Sequence, residues 1–387
     1  MVASAVGVAC FKTDVIKPGC VMRLPDHLAT SANTANAVRV ENVGLTFTNG
    51  FVGLKATSLD VPGGTFCTLL GSSGSGKTTL LRAIAGLINP TSGRIIIGEA
   101  DVTALPVQAR NIGFVFQNYA LFPHMNVSEN IEYPLKLKKW SASERAARVK
   151  EILELIELPH VASRTVGQLS GGQQQRVAIG RALAYRPSVL LLDEPMGALD
   201  RRLRQQLGAD LREMQQRTGI TTIYVTHDQE EAFILSDKIA VMSHGEILQY
   251  SEPAELYARP RSRFIATFLG EANMIDVEAC DGENVLTAHG RFPYTAPEGH
   301  ERGEGGWLLV RPEDVRFVDN HSAYPQFTTP IEVKVKRTIF LGSRCLVTAS
   351  AANGKAFLVE CPKAAVPAID AVTWIAWPPT AAVLLKN

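Results

Sequence analysis

The stretch GSSGSGKTT, residues 71–79, decides the fold. Gly71, Gly76, Lys77 and Thr78 satisfy the pattern G-x-x-x-x-G-K-[ST]. An apolar run, 65–70, precedes it, and residues 80–87 follow with helical character. The pattern therefore sits in the strand–loop–helix context that it requires. Glycines let backbone N–H groups turn inward around phosphate oxygens, and a helix N-terminus adds positive potential there. Lys77 is placed to reach the β- and γ-phosphates of a nucleotide, and the Thr78 hydroxyl to ligate Mg²⁺. Ser72, Ser73, Gly74, Ser75 and Thr79 complete the expected ATP-binding loop. The bland alternative is a Gly-rich turn that only caps a helix. The full pattern arises by chance in roughly one chain in a hundred of this length, which favours the nucleotide.

Residues 189–195, VLLLDEP, are four apolar positions followed by paired acids. A continuous apolar run of that length suits a strand buried on both faces of a parallel sheet. Ligands of such sheets bind beyond the carboxyl ends of the strands, where Asp193 and Glu194 emerge. Asp193 is expected to hold Mg²⁺, directly or through water, and Glu194 to polarise the attacking water as general base. A helix cap with a neighbouring acid is the simpler alternative.

Residues 169–176, LSGGQQQR, carry a second anion grip. Ser170 precedes the helical stretch 171–184 as an N-cap residue should. Gly171 and Gly172 leave backbone N–H groups bare in the first turn, although each interior glycine costs a helix about 1 kcal/mol against alanine. The arrangement makes sense if the helix end binds a phosphate. The chain already has a phosphate loop of its own, so a second grip points to the nucleotide of a neighbouring copy. The alternative is a flexible turn.

With Gln117 in VFQNYALFPH and His227 in IYVTHD, these motifs resemble the nucleotide-binding subunits of ABC transporters over roughly residues 38–269. The resemblance implies that Gln117 touches Mg²⁺ and the attacking water while sensing a membrane partner. It implies that Ser170, Gly171, Gly172 and Gln173 close over the γ-phosphate held by the opposite subunit, and that Asp200, in GALD, crosses the dimer interface. His227, after the apolar run 221–225, becomes a hydrogen-bonding linchpin at the γ-phosphate rather than a metal ligand. Phe47 is the implied adenine-stacking aromatic, with Phe51 close by. Two positions depart from the pattern: Gly197 replaces the usual serine of SALD, and Gly180 falls inside the helix after the signature, where it is expected to soften that helix.

The chain has 387 residues, which implies two or three domains. Its 39 Lys plus Arg balance 38 Asp plus Glu, so no basic field points to nucleic acid. Composition is 46% hydrophobic, yet no stretch of 18 apolar residues occurs, so another chain must supply any membrane channel. Cys10, Cys20, Cys67, Cys280, Cys345 and Cys361 are scattered without metal or disulfide spacing.

Residues 1–36 read as a weakly ordered extension, not a signal peptide, because no basic segment precedes the apolar one. Residues 37–269 read as an α/β P-loop ATPase domain of the ABC type. Its helical subdomain, about 118–180, contains the capping box Ser141–x–x–Glu144 and the helical spacing of Val149, Ile152, Leu153 and Ile156. Leu203, Leu207, Leu211 and Met214 predict a further helix, which Gly219 ends. From about residue 270 the helical period gives way to short alternating runs. IEVKVKR (331–337) is the clearest, and 307–311, 344–349, 356–361 and 372–377 are the others. They indicate an all-β, OB-like antiparallel barrel over 270–387. VRPEDV (310–315) resembles the accessory barrel of importer ATPases serving sugar, polyamine, iron or phosphonate uptake.

The resemblance thus implies an ATP- and Mg²⁺-dependent ATPase, peripheral on the cytoplasmic face of the inner membrane. It would work as a homodimer with transmembrane permease subunits and, indirectly, an extracytoplasmic solute-binding protein. The expected solute is a polyamine or another small charged molecule. The alternatives are a soluble ABC ATPase acting on nucleic acid or ribosomes, and the ATPase of an exporter. The former more often carries two ATPase units or an inserted coiled coil, and the barrel-like tail argues against the latter.

Overall fold

The computed structural model describes residues 35–197, 200–281, 283–294, 305–319 and 327–386. The predicted extension lies outside them except for Ala35 and Asn36, whose carbonyl accepts from Thr221 Oγ1 at 2.7 Å. Strands β1 (Val38–Thr46) and β2 (Val52–Val61) form an antiparallel hairpin. Strand β3 (Phe66–Leu70) leads through the glycine loop into helix α1 (Lys77–Ala85). Strands β4 (Ser92–Ile97) and β5 (Ala100–Asp101) complete a four-stranded sheet in the order β2-β1-β4-β5. A second sheet combines β3 with β6 (Ile112–Val115), β7 (Val189–Asp193), β8 (Thr221–Thr226), β9 (Lys238–Ser243) and β10 (Glu246–Ser251). Its order is β10-β9-β3-β8-β7-β6, with every pairing parallel except β10 with β9.

Every residue of β3, β7 and β8 is buried. Alternation then divides each strand between two cores. On β7, Val189 and Leu191 join the core beneath β1, β2 and α1, whereas Leu190 and Leu192 join the core shared with the helices. That second core is built by α2 (Val127–Leu137), α3 (Ala142–Leu155), α4 (Gly171–Leu183) and α5 (Arg201–Thr218). Capping boxes close α2 (Asn126 with Glu129), α3 (Ser141 with Glu144) and α4 (Ser170 with Gln173). Gly219 ends α5 in the left-handed conformation, as its sequence predicts.

Gly180 has a packing role in α4 that its sequence did not show. A Cβ there would lie 2.9 Å from Ile152 Cγ2 and 3.1 Å from Ile156 Cδ1, so the glycine lets α4 sit against α3 at close range. The helical penalty is offset by packing that no single-helix argument includes.

Helices α6 (Gln229–Leu235), α7 (Pro253–Ala258) and α8 (Arg263–Phe268) close the first body. Beyond residue 270 the strands are antiparallel and enclose their own core around Trp377, Phe292 and Phe357. Residues Ile331–Phe340 alternate as predicted, with Ile331, Val333 and Val335 buried. Strands at Asn273–Val277, Asn284–Thr287 and Val383–Lys386 were not predicted; they are short and carry little alternating signal.

The VRPEDV motif is the staple between the two bodies. Arg311 is 4% exposed. Its guanidinium donates to Ala266 O (2.9 Å), Glu271 O (3.1 Å) and Tyr257 O (3.3 Å), and lies 4.1 Å from the Tyr257 ring centroid. Tyr257 Oη in turn donates to Glu313 at 2.6 Å. Arg311→Ala leaves three carbonyls short of a donor, and a lysine cannot span them while also stacking. The alanine variant should lose about 2–4 kcal/mol of unfolding free energy, with Arg311→Lys recovering only part. Urea unfolding followed by circular dichroism checks this; an unchanged midpoint contradicts it.

Candidate functional site

Parallel pairing levels the strand ends. Leu70 lies beside Thr226, Asp193 beside Val225 and Val115 beside Leu192. The glycine loop, the two acids, the histidine turn and the segment carrying Gln117 therefore leave the sheet along one edge. The loop is braced from outside. Gly245, in the β9–β10 turn, donates to Ser75 O at 3.0 Å and accepts from Thr57 Oγ1 at 2.8 Å. Gly76 has φ 102°, and a Cβ there would lie 3.0 Å from Gly53 O, so any side chain at that corner is both strained and crowded.

Lys77 is 4% exposed. Its ammonium donates to the carbonyls of Gly71 and Ser72, both at 2.8 Å, which centres the charge in the loop. Burial pulls its pKa down, opposed by the negative charges of Glu194 and Asp193. Thr78 Oγ1 donates to Asp193 Oδ1 at 2.9 Å. Burial raises the Asp193 pKa, while the Thr78 hydrogen bond and Arg82, 3.8 Å away, act against the rise. Glu194 follows with φ 44°, a left-handed backbone that turns the chain sharply off the strand. Its Oε2 is 3.3 Å from His227 Nδ1. Gln117 Nε2 and Glu194 Oε2 each lie 4.0 Å from the Cβ position of Gly197, so both side chains border one point. Nothing blocks a serine there; the nearest atom, Glu194 O, is 3.6 Å away.

Thr78 and Asp193, joined by their hydrogen bond, offer hard oxygen donors at one point, which suits Mg²⁺ completed by phosphate oxygens. Among the described residues no cluster of three or more His, Cys, Asp or Glu forms a separate metal cage.

Phe47 covers Gly53, whose Cβ would meet Phe47 Cε2 at 2.6 Å, and stacks on Phe51 with centroids 6.1 Å apart. Gly53 itself backs the loop, so the Phe47 ring flanks the site. Phe51 is the more exposed, at 60% against 37%.

The signature residues are built on other elements. Ser170 Oγ accepts from Gln173 N at 3.3 Å, and Gln173 Oε1 accepts from Ser170 N at 3.0 Å. Gly172 is buried, and a Cβ there would stand 3.0 Å from Leu207 Cδ1 on α5. Its absent side chain thus serves packing as well as backbone access. Asp200 caps α5 by accepting from Leu203 N at 3.0 Å.

Sequence reasoning missed Arg82, although it stands four residues after Thr78 on one helix face. It also missed the turn at His244 and Gly245, whose positive φ values of 48° and 78° suit a tight hairpin. Arg181 carried no local signal. From the far end of α4 it donates to Ala120 O (2.8 Å) and Tyr119 O (2.9 Å) and lies over the Phe122 ring, holding the loop that follows Gln117.

Comparison with known proteins shows the family. Residues 54–197 match the ABC transporter family model, and residues 308–385 match the TOBE domain model. An Fe(3+) ions import ATP-binding protein of Brucella abortus is 44% identical over 84% of this chain and 90% of its own. A spermidine/putrescine import ATP-binding protein of Nitrosospira multiformis is 42% identical, covering 82% and 88%. A sulfate/thiosulfate import ATP-binding protein of Rhizobium meliloti is 48% identical, covering 73% and 77%. Among solved structures, a dimeric post-hydrolysis ATP-binding cassette bound to ADP and Pi superposes with a TM-score of 0.51. It is 36% identical and covers 56% of this chain and 98% of its own.

Arg181→Ala removes two donors and the cation over Phe122. Hydrogen exchange across residues 118–122 should accelerate and steady-state ATPase fall several-fold, while binding of a fluorescent ATP analogue is retained. Unchanged exchange in that segment contradicts the assigned clamp.

Proposed function

The chain belongs to the ATP-binding subunits of ABC transporters, and from that membership we propose that its ATP hydrolysis drives uptake of a small charged solute through a separate membrane-spanning permease. The observation that carries the reading is the meeting of Lys77, Thr78, Asp193, Glu194, Gln117 and His227 at one sheet edge, with Ser170 and Gln173 on a different helix. Lys77 draws the β- and γ-phosphates into the loop. Thr78 and Asp193 would hold Mg²⁺, directly or through water, with Gln117 beside them. A Mg²⁺ ion held there would supply positive charge against that building on the β- and γ-oxygens. Glu194 takes the proton of the attacking water, and His227 donates a hydrogen bond to the γ-phosphate. Phe47 stacks on the adenine.

The capping box supports a composite site between two copies. Ser170 and Gln173 spend acceptor oxygens on each other's N–H groups. The Ser170 O–H and the Gln173 NH₂ remain as donors at a helix N-terminus, a set suited to an anion. On this reading Ser170, Gly171, Gly172 and Gln173 close over the γ-phosphate held by the partner copy, and Asp200 crosses between them.

Residues 37–269 then form the ATPase domain and 270–387 the accessory barrel, after an extension of 1–36. Among the described residues no helix is long and apolar enough to cross a membrane. The proposed partners are thus permease subunits on other chains, met at the cytoplasmic face of the inner membrane, and indirectly an extracytoplasmic solute-binding protein. The named solutes of the relatives include cations and anions. Solute choice accordingly resides outside this ATPase, and a polyamine or another small charged molecule is the proposed class.

Glu194→Gln should bind ATP, lose turnover and accumulate as an ATP-locked dimer on gel filtration; persistent hydrolysis by a monomer would refute the role. Ser170→Arg and Lys77→Ala chains should each be inactive alone. Mixed, they should regain activity, because one composite site then joins a sound loop to a sound signature. Wild-type ATPase from Ser170→Arg alone excludes composite sites.

A further inference from the structure

We propose that Glu231, acting through Thr226, is a positioning residue for ATP hydrolysis that fixes the backbone carrying His227 and links it to the helix capped by Asp200. Strand β8 ends at Thr226, and His227 and Asp228 make the turn into α6. The Glu231 side chain is 10% accessible. Its Oε2 accepts from Tyr224 Oη at 2.6 Å and from Thr226 Oγ1 at 2.7 Å. Thr226 Oγ1 accepts in turn from Asp228 N at 3.0 Å, and Asp228 Oδ1 accepts from Glu231 N at 3.2 Å. These bonds close a ring around residues 226–228. The His227 side chain leaves that ring, half exposed, with Nδ1 turned to Glu194.

Arg204 joins the ring to α5. Its Nη1 donates to Asp228 Oδ2 at 2.8 Å and stands 3.8 Å from Glu231 Oε1. Arg204 N also donates to Asp200 O at 2.9 Å, one helical turn from the cap. A second pair, Arg201 with Glu230, bridges the same two helices. The residue proposed to face the partner copy and the residue proposed to touch this copy's γ-phosphate are thus tied by one short chain of bonds.

Helix capping alone does not account for Glu231. Asp228 already caps α6 through Glu231 N. A nearly buried carboxylate is costly unless it is bonded, and this one is bonded to the groups that set the histidine turn. It also pushes the already buried Tyr224 hydroxyl further up from its usual pKa.

The proposal rests on the assignment of His227 to the γ-phosphate. The test measures ATP turnover, KM and fluorescent-nucleotide binding on the full chain for Thr226→Val, Thr226→Ser, Glu231→Ala, Glu231→Gln and His227→Ala. Thr226→Val is nearly isosteric and keeps the proposal testable should Glu231→Ala fail to fold. Both should lower kcat by about 10- to 100-fold with KM and nucleotide binding nearly unchanged, the signature of misplaced chemistry rather than lost binding. Thr226→Ser should restore most of the rate, and Glu231→Gln, which keeps an acceptor oxygen, should lose less than Glu231→Ala. Wild-type turnover in Thr226→Val beside an impaired His227→Ala overturns the proposal and leaves the His227 assignment standing. A loss in Thr226→Val that Thr226→Ser does not restore, or that appears in KM alone, also overturns it. Full activity in His227→Ala overturns the assignment itself, and the proposal with it.

Discussion

One constraint governs the site: β3, β7 and β8 are covered on both faces along their whole length. A charged group partway along such a strand would be stripped of water at a cost of several kcal/mol. Chemistry is therefore confined to the strand ends, and parallel pairing puts the carboxyl ends level. The Thr78–Asp193 hydrogen bond records the result, joining residues 115 positions apart. Asp193 shows the same constraint from the other side. Burial lifts its pKa, and only the nearby Thr78 hydroxyl and the Arg82 and Lys77 charges offset that lift.

The motifs were legible because each is local. The phosphate loop, the apolar strand with its terminal acids, and the Ser170 cap are complete within a few residues, and the structure assembles them as read. The Ser141–Glu144 box and the alternation of 331–337 were legible for the same reason. The contacts that hold these pieces together were not. Arg311 meets carbonyls 40 to 54 residues away, and Arg181 meets carbonyls 61 and 62 residues away. A sequence pattern shows an arginine in such places but not the carbonyls that await it.

Gly172 and Gly180 show how a local rule misleads when the deciding contact is tertiary. Each weakens α4 as an isolated helix. In the fold, each admits a neighbour: Leu207 of α5 at Gly172, and Ile152 and Ile156 at Gly180. The two glycines therefore fix α4 between α5 and α3. A helix so seated cannot slide or roll without opening both contacts, because packed interiors have discrete arrangements and resist gradual deformation.

That seating gives α4 its mechanical meaning. Thirteen residues long, it extends about 20 Å. Ser170 stands at one end, where its donors face outward, and Arg181 near the other, where it grips the loop after Gln117. The loop after Gln117 and the signature are thus attached to opposite ends of one helix. The two packing glycines set where that helix lies, so they also set the spacing between the Ser170 cap and the loop that Arg181 holds.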